Sequence, residues 1–408
     1  MGTQPVLTAG ETTRISRPFG LANITPYQRI TCTKNAVVLG FAAGILLSPK
    51  LWVSSRFYPL LPVLPSLPAL QFPFDYICAA ALFLLLFAIG ASAKPRTYIF
   101  GFAAMLVFLA LDDQTRWQPW VYLYFFVLLS LSCYSWGADD AAGQENTLNI
   151  CRLIIGATYF YSGLQKLNPH FAELGMTSLL GPRAAHLPLV HVWPWIMAGF
   201  EAAIGIALLT RRFRNVAVVC AVLMHSFILV SGIVIMHWNS VVWPWNLTMI
   251  AFVVLLFWKT EFSAAEAVWR NPFRFQKVAL VLFGVMPLLS FFGWWDSYLS
   301  ASLYSGNIAQ ANVMLRGDVQ EQLPPGIQKY AKARPADTYV LSIRDWAVGE
   351  LNVMPYPAPR AYRAIGQEIC RFSHNSPDVV LLIRERDTLL ARGADTQDNC
   401  FGAIRAMK

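Results

Sequence analysis

Residues 154–167 read Ile154-Ile155-Gly156-Ala157-Thr158-Tyr159-Phe160-Tyr161-Ser162-Gly163-Leu164-Gln165-Lys166-Leu167, an apolar run with a lysine close to its end. A lysine that travels with a membrane-spanning helix is costly, and by default such a residue marks a functional site. The rest of the chain decides whether the run lies in a membrane. Of 408 residues, 56% are hydrophobic and 13% charged, whereas a soluble domain carries about a quarter charged residues. Mean hydropathy is +0.45. Residues 1–295 hold 19 Lys/Arg and 11 Asp/Glu, and residues 296–408 hold 13 and 12. The first part is apolar and basic, the second ordinary and near neutral.

Nine runs have the length of a spanning helix, roughly 17–25 residues: about 36–53, 73–93, 97–111, 118–136, 148–167, 189–209, 214–236, 240–259 and 275–295. With a cytosolic N-terminus, the cytosolic segments collect 14 of the 19 basic residues of this half, among them Arg14, Arg17, Arg29, Lys34, Arg152 and Arg214. Trp52, Trp120, Trp193, Trp238, Trp245 and Trp294 fall at the opposite ends, where a half-wet ring is favoured. The expected fold is an all-α polytopic membrane bundle of about nine transmembrane helices with a small C-terminal α+β extracytosolic domain. Its parts are a cytosolic N-terminal segment (1–35), the transmembrane domain (36–295) and a soluble extracytosolic domain (296–408). The first 35 residues lack the small-residue cleavage pattern of a signal peptide, so the first span serves as the targeting anchor. The expected location is a bacterial inner membrane. The +9 net charge is explained by topology and gives no argument for nucleic acid.

Five cysteines lie in or beside spans, where a small apolar thiol is unremarkable. Cys370 and Cys400 are alone in the tail, and an oxidising compartment lets them pair; two buried thiols are the alternative. Thr338–Ile343 and Val379–Ile383 read as strands and Pro359–Arg371 as an amphipathic helix. Pro59, Pro62, Pro65 and Pro68 recur every third residue, the period of polyproline II. They read as a stiff connector between the first two spans.

Three ionisable groups fall at membrane depth: Lys166, Glu201 and His225. Glu201 lies 12 residues before Phe213 and His225 lies 12 after it. Both therefore sit roughly 18 Å above the turn between their helices and are able to pair. Lys166 is 14 residues past Arg152, roughly 21 Å along the helix and in its outer half. A lysine there is also able to snorkel to the interface. Tyr159, Ser162, Gly163 and Lys166 share one helix face at i, i+3, i+4 and i+7. A desolvated lysine is a candidate general base. Asp113 and Arg116, in the loop before the fourth run, lie on the same outer side, and together these groups outline an outward-facing polar cavity.

Tyr159 to Asn168 resembles the Y-F-x-[AS]-G-x-x-K-L motif of the HTTM (horizontally transferred transmembrane) family, which contains the vitamin K-dependent gamma-carboxylase. An Asp-x-x-basic-aromatic stretch (Asp113 to Trp117), Glu201 and His225 follow in the family's order, and the resemblance covers roughly residues 30–300. It implies Lys166 as the base acting on a lipophilic, vitamin K-like quinol. Glu201, His225, Asp113 and Arg116 would be supporting catalytic residues, and Tyr159, Ser162 and Gly163 would line the substrate. Arg116 stands where the carboxylase has a histidine, and the large lumenal module is missing, so protein gamma-carboxylation itself is not implied. The alternative is a non-catalytic quinone-binding or anchor subunit whose C-terminal domain docks an extracytosolic partner. Membrane lipid is an expected partner in both cases. His170, His186, His191 and His237 show no ligand spacing with Cys or carboxylates, and no metal is expected.

Overall fold

Polar residues that a hydropathy reading leaves outside the membrane are what seal the ends of this bundle. The computed structural model describes residues 24–404 apart from 65–68, 138–139, 182–183, 185, 187, 237–238, 375 and 401. Arg14, Arg17, Pro65, Pro68, His237 and Trp238, used above, lie outside the described residues. Helix α1 spans Pro26–Leu47. Its capping box of Thr25 and Gln28, with Pro26 at the first position, satisfies donors that a helix start otherwise leaves unpaired. It begins ten residues earlier than the 36–53 expected from sequence, and the chain continues past it into a short turn, Pro49–Trp52.

The helices that follow are α2 (Phe74–Ala91), α3 (Arg96–Asp112), α4 (Pro119–Leu131) and α5 (Ala141–Lys166). After α5 come α6 (Pro169–Leu180), α7 (Trp193–Leu209), α8 (Arg214–Ser231) and α9 (Val242–Phe257). Helix α10 (Arg274–Phe292) closes the bundle and contains a π-helical turn at Leu280–Val285. Among the described residues, four helices are long and apolar enough to cross a membrane: Pro26–Leu47, Phe74–Ala91, Arg214–Ile235 and Arg274–Phe292. Helices α4, α7 and α9 are apolar but shorter.

Where α2, α4, α7 and α9 end, a basic side chain from another segment meets their last carbonyls. Lys34 donates to Gly90 and Ser92 (2.8 and 3.2 Å), and Arg96 donates to Ser132 (2.7 Å). Arg214 donates to Leu208 and Phe262 (3.0 and 2.8 Å). Arg29 donates to Trp258 (3.0 Å) and Arg152 to Leu256 (2.7 Å). Each cation satisfies orphan carbonyls and sits at the negative end of the helix dipole. The Arg214 and Arg152 guanidiniums also lie over the Phe262 ring, at 3.5 and 4.3 Å.

The C-terminal region is a six-stranded antiparallel sheet in the order β2-β3-β1-β4-β5-β6. The strands are β1 (Gln310–Arg316), β2 (Ala331–Arg334), β3 (Thr338–Ser342), β4 (Val379–Arg384), β5 (Asp395–Asn399) and β6 (Gly402–Ile404). Alternation along β1 buries Ala311, Val313 and Leu315, as a sheet with one covered face requires. Leu341, Leu381 and Ile383 share that face, and helices α11 (Ile343–Leu351) and α12 (Pro359–Cys370) cover it. A disulfide joins Cys370 to Cys400 with Cα atoms 5.4 Å apart, tying α12 to the end of β5.

Candidate functional site

The polar stripe of α5 is built against two neighbouring helices. Gly163 lies so close to α7 that a Cβ there would fall 2.2 Å from Ala202 N and 2.6 Å from Ala198 O. A Cβ on Gly205 of α7 would fall 2.5 Å from Phe160 N of α5. Small residues let the two backbones approach in this way. The approach carries Glu201, at the middle of α7, under the end of α5. Lys166 Nζ lies 2.8 Å from Glu201 Oε2 and donates to Ser162 Oγ at 2.7 Å. Both charged side chains are 15% exposed.

About two turns back from Lys166 on α5, Tyr159 meets α8. Its hydroxyl is 2.5 Å from His225 Nε2, and His225 Nδ1 is 2.7 Å from Asn246 Oδ1 on α9. The Asn246 amide nitrogen donates to Val242 O at 2.7 Å. That bond fixes which end of the amide faces the ring, so Nδ1 carries a proton and donates to Asn246. Glu201 and His225 were expected to pair with each other, but each bonds α5 instead, Glu201 at Lys166 and His225 at Tyr159. Asn246 was missed at the sequence level; its signal was a lone amide in the apolar run 240–259.

Asp113 and Arg116 are not part of this arrangement. Among the described residues, no hydrogen bond or ion pair links either to Lys166, Glu201 or His225. Asp113 pairs with Arg56 at 2.5 Å and accepts from Thr115 N, and Arg116 pairs with Asp112 at 2.8 Å and donates to Leu51 O. Asp112 accepts from Leu70 N and Gln114 donates to Leu61 O. The cluster pins the proline-rich connector to the end of α3.

A cavity of about 50 Å³ lies between α4, α5 and α10, lined in part by Tyr122, Ser162, Trp245, Phe283, Tyr298 and Leu303. Ser162 brings its wall next to the Lys166 pair. Its size suits water-sized occupants; a ring needs about 150 Å³.

The C-terminal domain is bolted to the same end of the bundle. Glu350 accepts from Phe57 N (2.8 Å), Tyr58 N (2.9 Å) and Trp346 Nε1 (2.8 Å), and pairs with Lys50 at 3.5 Å. Asn352 donates to Leu47 O (2.8 Å) and accepts from Ser240 N (3.0 Å), and Gln118 donates to Met354 O (3.0 Å). Asp296, just past α10, takes hydrogen bonds from Tyr356 and Arg360. Burial opposes its charge most strongly, but those two partners outweigh it and hold its carboxyl below the ordinary range. Among the described residues, no group of three or more His, Cys, Asp or Glu is placed to hold a metal ion.

Residues 144–242 match the family described as Methylamine utilisation protein MauE. The match covers about a quarter of the chain and takes in α5, α7 and α8 with Lys166, Glu201, Tyr159 and His225. No curated protein matches, and no solved structure matches. The MauE match overturns the family resemblance drawn from Tyr159–Asn168. The matched segment is similar to a family other than HTTM and the gamma-carboxylase. The carboxylase-like reading, with its quinol and its lysine base, falls with that resemblance, and so does the quinone-binding alternative. Lys166 has a partner that accounts for its position without catalysis.

Proposed function

We propose that the chain crosses the membrane nine times with its N-terminus in the cytosol. It holds residues 296–408 rigidly on the extracytosolic side, where the open face of the sheet receives a protein partner. The observation that carries this is the seat of the domain. Glu350, Asn352 and Gln118 join it to three separate parts of the bundle end. Helices α11 and α12 lie on the bundle side, where Trp346 packs on Tyr58 and a groove is shared with Arg56 and Phe57. On the opposite sheet face Met314, Val340, Val380 and Leu382 lie in register and are exposed or half-buried. Positive charges concentrated at the far end support the orientation. On this reading the MauE-like unit is the packed core of the support, and methylamine utilisation is the first setting in which to seek the partner.

The test is photo-crosslinking in intact cells from a diazirine residue at Met314 or Val380, with Arg212 on the far side as control. A discrete protein adduct from the sheet positions alone is expected; none at either position refutes the docking role. An impermeant thiol reagent that labels Arg212→Cys but not Arg334→Cys refutes the orientation.

A further inference from the structure

We infer that the turn Thr388–Arg392 is a lipid-inserting finger of the C-terminal domain, with Leu389 and Leu390 as its membrane contact. The turn leaves β4 and comes back toward β5 beside the end of α10. Leu389 N donates to Phe291 O at 2.8 Å. Phe291 lies within Arg274–Phe292, a helix long and apolar enough to cross a membrane, so this bond fixes the depth of the tip. Leu389 and Leu390 are 72% and 67% exposed, and Trp294, which follows a Gly293 whose Cβ position lies 3.5 Å from Thr388 Cγ2, is 67% exposed. Two adjacent leucines and an indole at the end of a crossing helix match the apolar and interfacial layers of a bilayer in order.

The backbone of the tip suits lipid as well. Thr388 N donates to Ala391 O (2.9 Å). Leu390 N and Ala391 N both donate to Thr388 Oγ1 (3.3 and 3.0 Å). With the bond from Leu389, the four amides from 388 to 391 are all satisfied, which lowers the cost of seating this turn at the membrane interface. The base is rigid: Arg386 donates to Trp295 O (2.8 Å), and Asp387 exchanges bonds with Asn307 and accepts from Gly393 N. Arg392 is exposed next to the leucines, within reach of an anionic headgroup.

The finger needs α10 to cross the membrane but is independent of any protein partner. The test uses the full chain in nanodiscs of phosphatidylethanolamine and phosphatidylglycerol. Spin labels are placed at Leu390→Cys or, as control, at Arg334→Cys, with the five free cysteines replaced. Collision with dioxygen relative to a neutral nickel chelate is expected to be several-fold higher at 390 than at 334. An equal ratio, or protection from both reagents, overturns the finger. In a second measurement, a diazirine residue at Leu389 in the otherwise native chain is expected to give lipid adducts. Adducts to protein or water alone overturn it.

Discussion

Lys166 Nζ and Glu201 Oε2 are 2.8 Å apart, joining the last residue of α5 to the middle of α7. Two charges taken out of water offset each other only while both are present. Each side chain is 15% exposed, so the pair lies between the surface and the fully buried case. Glu201→Gln or Lys166→Met is expected to cost about 1–3 kcal/mol, read as a lower melting temperature in detergent. The exchange of the two residues is expected to recover most of the loss; single variants as stable as the parent contradict the pairing.

Gly163→Ala forces a methyl into the backbone of α7, and Gly205→Ala does the same to α5. Either is expected to cost about 1–3 kcal/mol or more, the usual toll of overpacking. Gly199, with nothing within 4 Å of an added Cβ, is the control: Gly199→Ala is expected to be neutral or slightly stabilising in the same melting assay.

Glu350→Ala removes one acceptor from two backbone amides and an indole at once. Charged hydrogen bonds of this kind contribute about 1.5–3 kcal/mol. Hydrogen exchange is expected to speed up at Phe57 and Tyr58 and along α11, while α5 and α7 keep their protection. Unchanged exchange at 57 and 58 refutes the clamp.

Acid acts on the base of the finger. The Gly393 amide, and after it His170 at 2.9 Å, hold the Asp387 carboxyl below the ordinary carboxylate range. A depressed carboxylate stabilises the folded form above its unfolded pKa of about 3.9 and loses that effect as pH falls through the folded value. The loop is therefore expected to stay firm from neutrality down to about pH 4 and to loosen below it. The readout is the mobility of a label at Leu390→Cys. Asp387→Asn is expected to be loose throughout, and a parent loop that loosens between pH 7 and 5 contradicts this assignment.

Much of the helical order was legible from hydropathy, because runs such as 214–236 contain little but apolar residues. Helix α1 was misplaced where Gln28, Arg29, Thr33 and Lys34 read as aqueous. Arg29 and Lys34 are buried because carbonyls of α2 and α9, far away in sequence, need donors. The stripe Tyr159–Ser162–Gly163–Lys166 was readable from helical spacing, but depth counting paired Glu201 with His225, whereas Glu201 bonds Lys166 and His225 bonds Tyr159. The pairing was not readable, since it depends on the close approach at Gly163. Asp113 and Arg116 shared a side of the bundle with Lys166 but fold onto residues 51–70, a choice made by backbone groups that a charge count does not see. The ten residues around Lys166 suggested one family, whereas the 144–242 stretch as a whole matches another.

The central claim is that the C-terminal domain is held in one pose on the bundle end. Double electron–electron resonance between labels at Arg334→Cys, on β2, and Arg212→Cys, in the far turn, measures it directly in nanodiscs. The account predicts a single narrow distance distribution that broadens in Glu350→Ala. A broad or multimodal distribution in the parent protein would contradict it.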